Sequence, residues 1–156
     1  MGARSKARKR ALDVLYESEL RGSDPIATLA ERLAQSDPPV PEYAVTLVEG
    51  VVANGARIDE LLATYAVADW PLDRMPAVDR NVLRIGAYEL LWCGDDVPEG
   101  VAISEAVELA TALSTDDSPK FVNGVLARVA QDRPNVRLSP LTLRGGLDEQ
   151  PEQASE

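Results

Sequence analysis

Arg4, Lys6, Arg8, Lys9 and Arg10 place five cations and no anion within the first ten residues of this 156-residue chain. Guanidinium and ammonium groups at that density suit a polyanion: each neutralised phosphate releases counterions, so binding weakens as salt rises. The rest of the chain has the opposite character. Residues 11–133 hold 9 basic and 22 acidic side chains, and the whole sequence carries −10. The basic arm is thus a local exception on a body that repels polyanions. On a helical wheel its five cations scatter around the circumference. A helix end charged on all sides has no face to bury, so the expectation is an arm that projects from the body or frays. A solvated helix end is the plain alternative. Two features favour RNA: cations at a helix start run against the macrodipole, and the arm is the only dense basic patch in a chain of net −10. Arginine-rich segments that order on RNA are a known mode. Charge alone leaves DNA open.

A second group sits at Ser118-Pro119-Lys120-Phe121, where a helix start, a lysine and the chain's one phenylalanine coincide. A helix N-terminus attracts phosphate, and an exposed ring can stack on an unpaired base. The spacing equally allows Phe121 to belong to a core stripe, and Asp116 and Asp117 beside it oppose a polyanion. Acidic pairs such as Glu105/Glu108 have neither the partners nor the pocket that acid–base catalysis requires, and read as solvated faces and caps. Histidine is absent and Cys93 is the one cysteine. No triad, disulfide framework or cysteine-rich zinc site is therefore expected. Phosphate-loop and dinucleotide glycine patterns are also missing. The reading is a chain that is not an enzyme and needs no cofactor or metal. No apolar run follows the basic start as in a secretory signal, and none is long enough to span a membrane, so a cytoplasmic protein is expected.

The elements that must position these groups are helical. Apolar residues make up 45% of the chain and aromatics only 4%, so the core must be built mainly from Val, Leu, Ile and Ala. Helical spacing predicts a first helix over about 5–20 with Gly22 as its stop. Asp24-Pro25 should start a short second helix. A long segment over about 41–66 has a weak point at Asn54-Gly55. Val78, Val82, Ile85, Gly86 and Leu90 mark a strongly amphipathic helix over about 77–93. Ser104 reads as the cap of the next helix, with Glu105 in its first turn. Pro119 opens the last, to about Gln131. The expected architecture is all-α, six to seven helices packed as a bundle. One domain over 1–133 carries the arm at 4–10, and 134–156 forms a flexible, acidic, disordered tail.

Four segments in this order resemble the NusB family of bacterial transcription antitermination factors: Lys6–Tyr16 (KARKRALDVLY), Val78–Leu90 (VDRNVLRIGAYEL), Val97-Pro98 with Ile103–Ala110 (ISEAVELA), and Asp117–Leu126 (DSPKFVNGVL). The resemblance spans about residues 5–130. It implies two small helical bundles and a partner, the small-ribosomal-subunit protein NusE. With NusE the family binds the boxA element of nascent ribosomal RNA leaders and joins RNA polymerase to suppress premature termination. Carried over residue by residue, Arg4, Lys6, Arg8, Lys9 and Arg10 would contact RNA. Lys120 and Phe121 would extend that surface with Asp117 at its edge, and Tyr16, Glu19, Leu20 and Asp79 would face NusE. This moves Phe121 towards RNA. Lysine is a poorer bidentate phosphate ligand than arginine, so a mixed arm implies weak RNA affinity without the partner. The competing reading is a homodimeric helical interaction module whose arm binds an acidic partner.

Overall fold

The computed structural model describes residues 2–35, 39–66 and 70–138. These form seven α-helices and no strand: α1 (Ala3–Arg21), α2 (Pro25–Gln35), α3 (Glu42–Ala53), α4 (Gly55–Tyr65), α5 (Ala77–Trp92), α6 (Glu99–Leu113) and α7 (Ser118–Asp132), followed by a 3-10 turn over Arg133–Asn135. No helix here is long and apolar enough to cross a membrane.

Local chemistry accounts for most of the boundaries. Gly22 adopts φ 65°, the left-handed geometry that glycine enters without a Cβ penalty. Its N–H donates to the Glu19 carbonyl at 3.3 Å and the next N–H, of Ser23, donates to the Ser18 carbonyl at 2.9 Å, which satisfies the last carbonyls of α1. Pro25 opens α2, with the Asp24 carboxylate accepting from the Ile26 N–H at 3.2 Å. The long segment expected over 41–66 is two helices broken at Asn54, whose side-chain amide donates to the Gly50 carbonyl at 2.9 Å. Side-chain amides compete in this way with the helical backbone, so the weak point became a break. The helix expected to start at Ser104 starts instead at Glu99. Pro98 ends the preceding loop, and its carbonyl accepts from the N–H groups of Val101 and Ala102 at 3.0 Å each. Ser104 therefore lies exposed inside α6 and caps nothing.

The helix α5 is the axis. Ten of its sixteen residues are buried, including Val82, Leu83, Ile85 and Leu90 at 2% exposure or less. A helix buried on nearly every side must lie inside the fold. It packs against α1, α3, α4, α6 and α7, while α1, α2 and α3 pack on one another and α4 to α7 form the second group. The two small bundles share α5. Residues 134–138, which the sequence assigns to the tail, include the end of the 3-10 turn, and Arg57 donates to the Arg137 carbonyl at 2.8 and 3.2 Å. The rest of the expected tail, 139–156, lies outside the described residues.

The helices α3 and α5 approach closely because Gly50 has no side chain: a Cβ there would overlap the ring of Tyr88. Gly124, inside α7, faces open space. Gly50→Ala should therefore destabilise the fold by about 1–3 kcal/mol through overpacking, while Gly124→Ala should stabilise it by about 0.4–1 kcal/mol. Urea midpoints of the two variants measure both; equal shifts would rule out the close crossing.

Candidate nucleic-acid interface

The first turns of α1 do not project. Helical pitch turns Ala7, Arg8, Ala11 and Leu12 into the body, and Arg8 is 2% exposed. Its Nε donates to both carboxylate oxygens of Glu89, at 2.9 and 3.0 Å. One terminal nitrogen lies 3.3 Å from Glu105. The hydroxyl of Tyr43 donates to Glu89 from the other side, and the Arg8 guanidinium lies 5.7 Å from the Tyr43 ring centroid. The expectation that Arg8 reaches out to phosphate is corrected here: the buried guanidinium is engaged by the buried Glu89 and the half-buried Glu105. Burial alone would lower the Arg8 pKa, but the hydrogen bonds and charge of Glu89 outweigh it and raise it. Burial and the bond to Glu89 likewise push the Tyr43 phenol up. The site is a hydrogen-bonded cluster in which the Arg8 guanidinium stands between two carboxylates, Glu89 and Glu105.

The rest of the arm divides by exposure. Arg4 is solvent-facing, with its guanidinium 4.4 Å from the Tyr43 ring centroid and a nitrogen 2.6 Å from Asp96. Both partners of that pair are about half exposed or more, so it is readily exchanged for a phosphate. Ser5 donates to Glu105 at 2.6 Å. Lys6 is exposed, Lys9 is exposed with Asp13 at 3.6 Å one turn on, and Arg10 is half-buried. The water-facing cations of the arm are thus Arg4, Lys6 and Lys9.

The second group lies elsewhere. Glu89 sits beside Arg8 near the C-terminal end of α5, whereas Asp79 at its N-terminal end sits beside Ser118 at the start of α7. Ten residues of helix separate the two levels, about 15 Å along the axis. Lys120 and Asp117 are exposed there, and Phe121 is half-buried against Trp70, ring centroids 4.6 Å apart at 57°. Phe121 therefore has one face packed at the edge of the core and part of its ring in solvent. The structure does not gather the arm and the α7 start into one cluster; it holds them at opposite ends of α5.

Of the four residues expected to face a protein partner, two do other work. Asp79 is fully buried and accepts from the hydroxyls of Ser118, at 2.7 Å, and Ser114. It cannot touch a partner; it fixes where α7 begins, and so where Lys120 and Phe121 stand. Glu19 is paired with Arg80 and Arg84, and Arg84 grips Asp59 with two hydrogen bonds at 2.8 and 2.9 Å. Burial would raise the Glu19 pKa, but the Arg80 hydrogen bond and the charges of Arg80 and Arg84 lower it. Tyr16 is half-buried, and Leu20 stands 64% exposed. Sequence reasoning missed Tyr43, Glu89, Arg80 and Arg84. Glu89 carried a signal: it falls at helical spacing on the stripe of Val78, Val82 and Ile85, and a carboxylate buried on such a face requires a cation. Cys93 is a neutral thiol at neutral pH, since burial pushes it up to about 11.

Two outcomes follow. Removing Arg8 leaves Glu89 buried and uncompensated, so Arg8→Ala should cost about 3–5 kcal/mol, read as a lowered urea midpoint; an RNA-contact role alone would leave stability unchanged. For Glu19, whose folded pKa is depressed, the stabilisation is full above its ordinary value of 4.5 and is lost as pH falls through the lower folded value. The stability gap between the native chain and Glu19→Gln should therefore be flat at neutral pH and close in acid. A gap that widened in acid would contradict the pairing.

Comparison with known proteins places this geometry. A family model described as the NusB family matches residues 5–131. A transcription antitermination protein NusB from Saccharopolyspora erythraea is 64% identical over 146 residues, covering 93% of this chain and 96% of the relative. The solved structure of T. maritima NusB superposes with a TM-score of 0.74 at 35% identity, covering 84% of this chain and 92% of that one. A crystal structure of the antitermination factors NusB and NusE with double-stranded RNA contains a chain similar to this one, with a TM-score of 0.71 at 31% identity over 82% of this chain and 96% of that one. Sequence and fold agree over nearly the whole described body: the chain belongs to the NusB family.

Proposed function

We propose that this chain is a transcription antitermination factor of the cytoplasm, an RNA-binding adaptor that acts without catalysis. With NusE it holds boxA RNA of nascent ribosomal RNA leaders and joins RNA polymerase to suppress premature termination. The observation that carries the RNA reading is the arm itself: Arg8 ties α1 to the body, and Arg4, Lys6 and Lys9 face water beyond it. An anchored helix presents its cations with less ordering cost than a frayed one. The relatives named as antitermination proteins and the similar chain found with NusE and RNA support the same reading.

Two contact surfaces follow for this chain. Arg4, Lys6 and Lys9 attract phosphates, and Lys120 with the exposed part of Phe121 forms a second contact at the far end of α5. Leu20, beside Tyr16 on α1, anchors the protein partner; Glu19 and Asp79 support that face and the α7 start from beneath. Because the body is strongly acidic, phosphates are held at these points and repelled from the surface between them.

An equilibrium titration of boxA RNA, with and without NusE, at two salt concentrations tests the proposal. NusE should strengthen binding, and salt should weaken it. Lys6→Ala with Lys9→Ala should weaken binding and lower the log–log salt slope by roughly 0.7 for each phosphate that is no longer neutralised. Leu20→Asp should weaken NusE binding on the order of tenfold or more, as expected for an interface anchor, without altering RNA binding by the chain alone. Equal affinity for a scrambled RNA in the presence of NusE would overturn the boxA assignment.

A further inference from the structure

Between α1 and α6 runs a groove of about 360 Å³, within the size range of small-ligand sites. Lys9 stands on one wall; Glu108, Leu109, Ala112 and Leu113 form the other, with Leu113 41% exposed. Glu105 also lines it but is already engaged, accepting from Ser5 and lying 3.3 Å from Arg8. The groove starts at the arm and follows α6 towards Ser114, whose hydroxyl reaches Asp79 beside the start of α7. It therefore lies on the path between the two contact points of the proposed RNA surface.

We infer that this groove receives an unpaired nucleobase bearing an exocyclic amine, and that Glu108 reads that amine. The inference rests on the RNA reading above and adds a specificity element to it. The groove is not cationic enough to be a phosphate cradle. Its wall is apolar, its one uncommitted carboxylate is Glu108, and its cation, Lys9, is at the edge. That combination repels phosphate from the floor and keeps it at the Lys9 rim, while a flat, uncharged base can lie against Leu109, Ala112 and Leu113. Specific RNA readers take splayed-out bases in this way, packing the faces and hydrogen-bonding the edge. An ionised carboxylate only accepts. It pairs with the amine of cytosine or adenine and rejects the carbonyl that uracil presents at the same position. Glu108 thus turns an attractive but unselective arm into one that discriminates.

The test compares the full chain with Glu108→Gln and Leu113→Asp, using oligocytidylate and oligouridylate of equal length at low salt. The native chain should prefer oligocytidylate by about 5- to 10-fold, in the range of one good base contact. Glu108→Gln should remove most of that preference, because an amide accepts and donates, and should leave oligouridylate binding at least as tight. Leu113→Asp should weaken oligocytidylate binding. Equal native affinity for the two RNAs, or a preference that survives Glu108→Gln, overturns the inference while leaving the arm's salt-dependent binding as support for the RNA reading. Absence of binding to both RNAs by the native chain overturns the base-binding role, while the boxA titration with NusE decides the RNA reading separately. Sedimentation supplies the remaining outcome: a native homodimer that Leu113→Asp dissociates, with RNA preference unchanged, assigns the groove to a second copy and refutes the base-binding role.

Discussion

The buried pair between Arg8 and Glu89 is the constraint on which the rest of the site depends. A carboxylate inside α5 is costly to bury unless a cation meets it with good geometry, and Arg8 does so with Nε shared between both oxygens. That requirement fixes the rotation of α1: with Arg8 inward, Ala7 and Ala11 pack and Lys6 and Lys9 face water. Tyr43 and Glu105 complete the cluster from α3 and α6, so one guanidinium registers four helices. An apolar replacement of similar volume would satisfy packing equally well. What the ion pair adds is orientation, and here orientation decides which cations a polyanion meets.

A second polar network does the same at the other end of the axis. Asp79 ties α5 to the start of α7 through Ser118 and Ser114, and Glu19 ties α1 to α5 through Arg80 and Arg84. Both carboxylates are among the four residues that the resemblance assigns to the partner-binding face. Neither is free to bind a partner directly. They fix the helices that carry Leu20, Lys120 and Phe121, which do reach solvent.

How much of this was legible in the sequence depended on the range of the cause. Gly22, Pro25 and the 77–93 stripe act within a turn or two, and the helices they predict are present. Asn54 was visible as a weak point, though not as a full break, because its bond to the Gly50 carbonyl competes with propensity only once the backbone is placed. Ser104 offered a local cap that lost to the equally local Pro98–Glu99 start. The arm failed for a different reason. A helical wheel reports which face a residue occupies but not what lies opposite, and the partner of Arg8 is 81 positions away. The same holds for Asp79 with Ser118 at 39. Long-range pairing of charges escapes any reading by period.

The burial of Arg8 also changes the electrostatic description of the molecule. Counted along the sequence, five cations stand at the N-terminus. Counted at the surface, Arg8 is absent, Arg10 is half-buried, and Arg4 is shared with Asp96. The attraction such a surface exerts is modest and screened within about 10 Å at moderate salt. An arm this weak cannot alone select one RNA against an acidic body that repels all of them. Selection must come from contacts that hold only when a base fits, together with a second protein that lowers the entropic cost of bringing the RNA there. The fold offers an apolar groove with one uncommitted carboxylate beside the arm, and an exposed Leu20 further along the same helix.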